Sequence, residues 1–476
     1  MMETPSRAQG SDNELDAKEW VEKDRRFLWH HMQPYAASQN PMVVTHGEGA
    51  VITDLDGNRY VDAMSGLWCV NLGYSEKELA DAAYEQMRQM PFYPLSQSHL
   101  PAIQLAEKLS EWLQGDYRVF FSNSGSEANE TAFKMARQYH IQNGEPSRWK
   151  VISRYRAYHG NSGAALAATG QAQRKIKYEP LSPGFVHVAP PYCYRCPFGQ
   201  TYGSCHTECA SVYDQVINWE GPETVAAVIM EPVITGGGVI VPPPEYMKQV
   251  REICDKYGVL LIVDEVICGF GRSGQQFGHQ NFGVTPDIVT MAKGITSGYL
   301  PLSATAVRAE LFDSFTEPEP YAHFRHVNTF GGNPTSCALA VRTLELMEKR
   351  SLVARSRELG RQLEQLLLPL QDHPNVGDVR VFGLLAGIEL VVDKQSKTPV
   401  SPGFIGEVIA SCKRKGVLVG KNGDTVPEFN NVLTLSPPFI ISDEELQFIV
   451  QTVIGALDET SAIHHQKPET EGMASS

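Results

Sequence analysis

The 476-residue sequence has no apolar run long enough to cross a bilayer. Its strongest, Val259-Leu260-Leu261-Ile262-Val263, is strand-length, against the ~20 residues that a spanning helix needs. The stretch Met1–Arg26 lacks the basic start and apolar segment of a secretory signal. Positive charge is also short: 41 Lys and Arg against 55 Asp and Glu give a formal net charge of −14. That balance argues against a protein whose main partner is nucleic acid or an anionic membrane. The nine cysteines are an odd count, and five of them stand singly in apolar or helical surroundings. Such usage fits reduced thiols better than a disulfide framework, so a cytoplasmic protein is expected. Internal repeats and long low-complexity tracts are absent as well. With 42% hydrophobic residues the chain can build a large core, and its composition excludes disorder over most of its length.

What is present is alternation. Short β-rich runs at Arg118–Ser122, Lys150–Ser153, Val225–Met230, Val259–Val263, Asp287–Met291 and Ser303–Val307 are interleaved with helical patterns such as Glu127–His140 and Pro244–Tyr257. Strand–helix alternation predicts an α/β fold with a mostly parallel sheet covered on both faces. The last third differs: long helices over 334–350 and 352–370 lead into strands at Val379–Phe382, Leu385–Val392 and Val432–Leu435, closed by a helix over 442–457. Near the other end, 51–62 reads as a hairpin around Asp56-Gly57. The expected organisation is a large domain over 65–335, a smaller α+β domain built from 14–64 and 336–460, and loose tails at 1–13 and 461–476.

In an open α/β sheet, ligands sit beyond the carboxyl ends of the strands, so the residues that follow each apolar run are the candidates. After Phe120-Phe121-Ser122 comes Asn123-Ser124-Gly125-Ser126-Glu127 and then a helix. This turn is readable as a plain helix cap or as a phosphate cup made of N–H groups and hydroxyls. After Val263 comes Asp264, a carboxylate that burial makes costly unless it meets a cation or several donors. It suits a structural ion pair, a metal or a protonated ring nitrogen. Lys293 follows Met291-Ala292 and is either a lysine reaching solvent or an amine made nucleophilic by apolar surroundings. Tyr158, in Tyr155-Arg156-Ala157-Tyr158-His159-Gly160, adds an aromatic face. Together these strand ends supply a phosphate cup, an acid for a ring nitrogen, an amine for an aldehyde and an aromatic plate. Those are the needs of pyridoxal 5′-phosphate (PLP).

On these residues the chain resembles the class III PLP-dependent aminotransferases of fold type I, from about Lys18 to Leu457. The matching segments are Asn123–Glu130, Tyr158-His159-Gly160, Glu231-Pro232-Val233, Asp264-Glu265-Val266 with Gly269–Arg272, Lys293-Gly294 and Asn328–Pro334. Leu67–Gly73 and Lys421-Asn422-Gly423-Asp424 are most similar to the ω-amino acid–pyruvate and taurine–pyruvate aminotransferases. The resemblance implies catalytic roles for Lys293, which would bond to the cofactor aldehyde, and for Asp264, which would pair with the pyridinium nitrogen. It implies that Ser124, Gly125 and Ser126 form the phosphate cup, that Tyr158 and Val266 cover the two ring faces, and that Glu231 lies near the ring hydroxyl. Thr329 would reach the phosphate of a neighbouring subunit, which implies a homodimer with shared sites, with a tetramer as the larger alternative. Trp68 and Tyr158 would line the substrate pocket. The implied reaction moves an amino group from a primary amine or ω-amino acid, such as β-alanine or taurine, to pyruvate or another 2-oxo acid by a ping-pong route. An aminomutase or decarboxylating enzyme of the same fold is the alternative.

The sequence departs from the resembled pattern in places. Ile267-Cys268 stands where many members carry Gln, and Gly420-Lys421 where many pyruvate-using relatives place an arginine. Arg414, the nearest arginine, becomes the candidate for the substrate carboxylate, which a guanidinium clamps better than an ammonium. Cys193, Cys196, Cys205 and Cys209 form C-x₂-C-x₈-C-x₃-C, a spacing compatible with a structural zinc loop. Reduced thiols in a surface loop are the plainer reading, and no metal is assigned.

Overall fold

β-Branched apolar runs assemble into a seven-stranded sheet made of β1 (Tyr117–Ser122), β2 (Lys150–Arg154), β3 (Phe185–Val188), β4 (Val225–Met230), β5 (Leu260–Asp264), β6 (Ile288–Met291) and β7 (Ser303–Arg308), in the order β1-β7-β6-β5-β4-β2-β3. The computed structural model describes residues 17–423 and 425–466. Neighbours from β3 through β6 pair in parallel, and β7 alone runs against both of its neighbours. Every residue of β4 and β5 is buried, as expected of central strands covered on both faces. This is the α/β architecture of fold type I. Strand β3 was not anticipated; its four residues, Phe-Val-His-Val, make too short a run to stand out.

The helix Gly125–Gln142 follows β1 and buries Ala128, Asn129, Ala132, Phe133, Met135 and Ala136. Its start is fixed by Ser124, whose hydroxyl accepts from the Glu127 N–H, a standard N-cap contact. The helix Tyr246–Tyr257 ends at Gly258 in the left-handed conformation (φ 65°), where glycine avoids the Cβ clash.

The hairpin forms as expected, with Val51–Asp54 antiparallel to Arg59–Asp62. Asp54 ties its turn by accepting from the N–H groups of Asp56 (3.1 Å) and Asn58 (2.9 Å). Val417–Leu418 adds in parallel to Arg59–Asp62, so an early and a late segment of the chain meet in one sheet. A further antiparallel sheet contains Val376–Val381, Ala386–Asp393, Val432–Leu435 and Gly420–Lys421. The closing helix runs over Asp443–Gln466. The stretch 461–466, expected to be part of a loose tail, therefore continues that helix, carried by the burial of Thr460 and Ser461. The other expected tail residues, 1–13 and 467–476, lie outside the described residues, as does Asp424. Among the described residues no helix is long and apolar enough to cross a membrane.

Candidate active site

Strand register gathers the candidates. Asp264 is opposite Thr290 across β5 and β6, and Ser122 is opposite Ser303 across β1 and β7. The carboxyl ends of β1, β2, β5 and β6 thus lie along one edge, and the loops leaving them carry Ser124–Ser126, Tyr158, Asp264–Val266 and Lys293.

Asp264 is buried. Its Oδ2 accepts from His159 Nδ1 and Asn129 Nδ2, both at 2.9 Å, and its Oδ1 accepts from the Val266 N–H at 3.0 Å. Oδ1 keeps a lone pair free for one further donor. Asn129 is fixed in turn by its own bonds to the His159 carbonyl (2.7 Å) and from Thr290 Oγ1 (2.8 Å). Glu231, also buried, receives Tyr158 N–H at Oε1 (3.2 Å) and Thr235 N–H and Oγ1 at Oε2 (3.1 and 2.9 Å). Burial pushes its carboxyl above the usual range, with Asp264 adding to that and His159 opposing it.

Lys293 opens a short helical turn with φ 42°. Burial lowers its ammonium below the ordinary lysine value, against the pull of Cys69, Asp264 and Glu231. Its Nζ lies 5.4 Å from the centroid of the Trp68 ring. Trp68 and Val266 belong to one apolar cluster with Val233, Val239, Ile267 and Leu385. Trp68 sits on a segment held from behind by Arg272, a fully buried side chain that donates to Ser65 Oγ (3.1 Å), Asn71 Oδ1 (2.7 Å) and the Pro437 carbonyl (2.6 Å).

The start of helix Gly125–Gln142 fits a phosphate. Its first N–H groups, those of Gly125 and Ser126, have no acceptor among the described residues, because the Ser124 cap serves Glu127. Orphan donors at a helix start are an anion site. The cup is also tight: a Cβ on Gly125 would stand 3.0 and 3.1 Å from the two methyls of Val266. The Ser126 hydroxyl links across to Asn161 (3.1 Å to Oδ1), just after Gly160.

Two further expected residues remain. Thr329 is exposed and makes no hydrogen bond among the described residues, beside exposed Val327 and Phe330. Arg414 has a partner of its own. It ends the helix Pro402–Arg414 with its guanidinium turned along that helix to Glu407 Oε1 (2.6 Å), both side chains exposed. None of its contacts reaches the Lys293–Asp264 group.

Three residues were quoted within matching segments or passed over without a task. His159 and Asn129 hold Asp264, and a polar Asn between Ala128 and Ala132 on a buried helix face was the available signal. Arg174 is the third. Its guanidinium lies 4.7 Å from the centroid of the Tyr158 ring, braced by Gln171 Oε1 (2.6 Å), with no carboxylate in ion-pair distance among the described residues.

Residues 33–457 match the family Aminotransferase class-III. The chain is 59% identical over 444 residues to the uncharacterized aminotransferase YhxA of Bacillus subtilis (strain 168), covering 93% of this chain and 98% of that one. It is 42% identical to the taurine–pyruvate aminotransferase of Bilophila wadsworthia, over 91% of this chain and 96% of the relative. The fold superimposes on the crystal structure of the omega transaminase from Pseudomonas jessenii in complex with PMP with a TM-score of 0.87, at 36% identity over 93% and 98% of the two chains. This aminotransferase chain belongs to the class III family.

Proposed function

We propose that the chain is a PLP-dependent ω-transaminase that moves an amino group from a primary amine or ω-amino acid, such as β-alanine or taurine, to pyruvate by a ping-pong mechanism. One observation carries the reading: the lowered amine of Lys293, the braced carboxylate of Asp264 and the orphan N–H pair of Gly125 and Ser126 share one strand-end edge. The taurine–pyruvate relative and the PMP-bound neighbour support the acceptor and the cofactor.

When bound, PLP supplies an electron sink that acidifies the proton on the amine-bearing carbon. Gly125, Ser126 and the Ser124 turn would hold its phosphate, and Asp264 would keep its ring nitrogen protonated through the free lone pair of Oδ1. Tyr158 and Val266 would cover the ring faces and exclude water, and Glu231 would border the hydroxyl edge. Lys293 would anchor the aldehyde. Its Nζ, whose ammonium burial lowers, would move a proton to and from the amine-bearing carbon, serving as base and then acid. Trp68 would bound the substrate side. Thr329, exposed on its own chain, would serve the phosphate of a partner subunit in a homodimer. A cytoplasmic location accords with nine cysteines that form no disulfide.

The test is a visible spectrum of the purified protein during addition of a short ω-amino donor and then pyruvate. Bleaching of the cofactor band, restored by pyruvate and not by 2-oxoglutarate, is expected. A band that no amine bleaches overturns the transaminase reading, and no band after added PLP overturns the cofactor.

A further inference from the structure

Arg174 is set against Tyr158 with donors left unused. It ends the short turn Ala172–Arg174 and is half-buried, with its guanidinium carbon 4.7 Å from the centroid of the Tyr158 ring. Its Nε donates to Gln171 Oε1 (2.6 Å), and Nη1 meets the Met32 sulfur at 3.6 Å. Nη2 has no partner among the described residues, and no carboxylate among them stands within ion-pair distance.

That placement is held from behind. Gln171 is fully buried and its amide is bonded at both ends: Oε1 receives Arg174, while Nε2 donates to the Arg156 carbonyl (3.0 Å). The rest of the turn is tied to the segment after Asn422. Ala172 N–H donates to the Thr425 carbonyl (2.9 Å), and Gln173 Oε1 accepts from Asn430 Nδ2 (2.9 Å). Asn422 Nδ2 in turn donates to the Phe429 carbonyl (2.9 Å). Contact with the Tyr158 ring further restrains the guanidinium. With Nε occupied, the Nη1–Nη2 edge remains, and such an edge gives an oxyanion two parallel N–H bonds.

The charges around Tyr158 favour an anion there. Burial raises its phenol, Arg174 opposes that rise and Asp264 adds to it, so the ring lies in the fields of both. Asp264 and Glu231 are buried carboxylates of the same site, and they would repel a donor that carries an acid of its own. Arg174 supplies the compensating cation. Of its neighbours, the Arg156 guanidinium is buried between Tyr192 and Phe429, at 5.0 and 5.8 Å from their ring centroids, and Lys175 Nζ donates to the Ala167 carbonyl (3.2 Å).

We propose that Arg174 binds the acidic group, a carboxylate or sulfonate, at the far end of an ω-amino acid donor, through its Nη1–Nη2 edge and with Tyr158 backing the guanidinium. The proposal rests on the transaminase reading above and adds to it the residue that selects acid-bearing donors over plain amines. No bond is made or broken at Arg174.

Two measurements on the full-length holoenzyme and its Arg174→Gln variant test this. In the first, calorimetry follows the binding of 3-hydroxypropionate and of isethionate, which carry the acid without the amine. Millimolar binding of at least one is expected, weakened about tenfold or more in the variant, and the tighter probe tells carboxylate from sulfonate. In the second, the rate constant for bleaching of the cofactor band is compared for β-alanine and propylamine, which differ only in the acid. The ratio of the two should fall by about tenfold or more in the variant, whereas a merely structural role would slow both donors alike. Wild-type affinity of the variant for both probes overturns the assignment, as does a rate ratio within about twofold of wild type. So does a wild-type protein that binds neither probe below about 100 mM. Should Arg174→Gln fail to fold, Arg174→Lys decides by the same readouts, since an ammonium keeps the charge and loses the paired bonds. If the probes bind through Arg174 and no amine bleaches the band, the transaminase reading falls and the acid site stands.

Discussion

His159 Nδ1 stands 2.9 Å from Asp264 Oδ2, and Asn129 Nδ2 meets the same oxygen at the same distance. The three residues come from the loop after β2, the end of β5 and the first turns of helix Gly125–Gln142. The carboxylate is therefore oriented from three directions and cannot turn without breaking buried bonds. A carboxylate held this way meets a ring nitrogen without reorganising, which is the arrangement that makes electrostatic help effective.

Asp264→Asn should accordingly keep the fold and retain PLP while kcat falls by about 100-fold or more, since a neutral amide no longer favours the protonated ring. Cofactor absorbance and steady-state rates measured on one preparation separate the two effects. An unchanged kcat would remove Asp264 from its role.

Lys293→Ala should abolish transamination and leave a folded protein, because it removes the buried amine whose Nζ lies 5.4 Å from the Trp68 ring centroid. Turnover above about 1% of wild type would mean that Lys293 is not the covalent anchor and base. Circular dichroism and size-exclusion chromatography check the fold.

Gly125→Ala tests the phosphate cup. The added Cβ would stand 3.0 and 3.1 Å from the Val266 methyls, so Val266, the residue expected to cover one ring face, must give by a few tenths of an ångström. PLP affinity is expected to fall by about tenfold, or ~1.4 kcal/mol, in an absorbance titration of apoenzyme. Wild-type affinity would place the cofactor elsewhere.

Much of this was legible in the sequence because the sheet is buried on both faces. Val225–Met230 and the run ending in Asp264 are continuous apolar strands, and a polar residue at the end of such a run announces itself. The short β3 lacked that contrast. The residues that brace Asp264 were harder to find, since His159 and Asn129 act only once β2, β5 and a helix are packed together, and no spacing rule joins positions 129, 159 and 264. Arg414 was chosen for its closeness in sequence to Lys421, and no spacing rule foretold its bond to Glu407.

Arg414→Ala should therefore leave the KM for pyruvate within about twofold of wild type, and should cost little stability, as exposed ion pairs contribute about 0–1 kcal/mol. A rise in KM of about tenfold would return Arg414 to the substrate site.

His187 on β3 should govern part of the acid sensitivity. Burial, with the charge of Lys175 adding to it, lowers its imidazole from 6.5 to about 4, and the neutral ring donates Nε2–H to the Ala168 carbonyl at 3.1 Å. The unfolded chain takes up a proton here below pH 6.5, whereas the folded chain does so only near 4. Its contribution is thus fully present above 6.5, is lost as pH falls from 6.5 to about 4, and changes no further below that. The loss is at most about 3 kcal/mol. In His187→Gln, whose amide can keep the bond to Ala168 without titrating, the fall in melting temperature between pH 7 and pH 4.5 should be smaller than in wild type. Equal falls in the two proteins would show that this imidazole already titrates normally in the folded chain, and that its burial beneath Tyr155 does not exclude the proton.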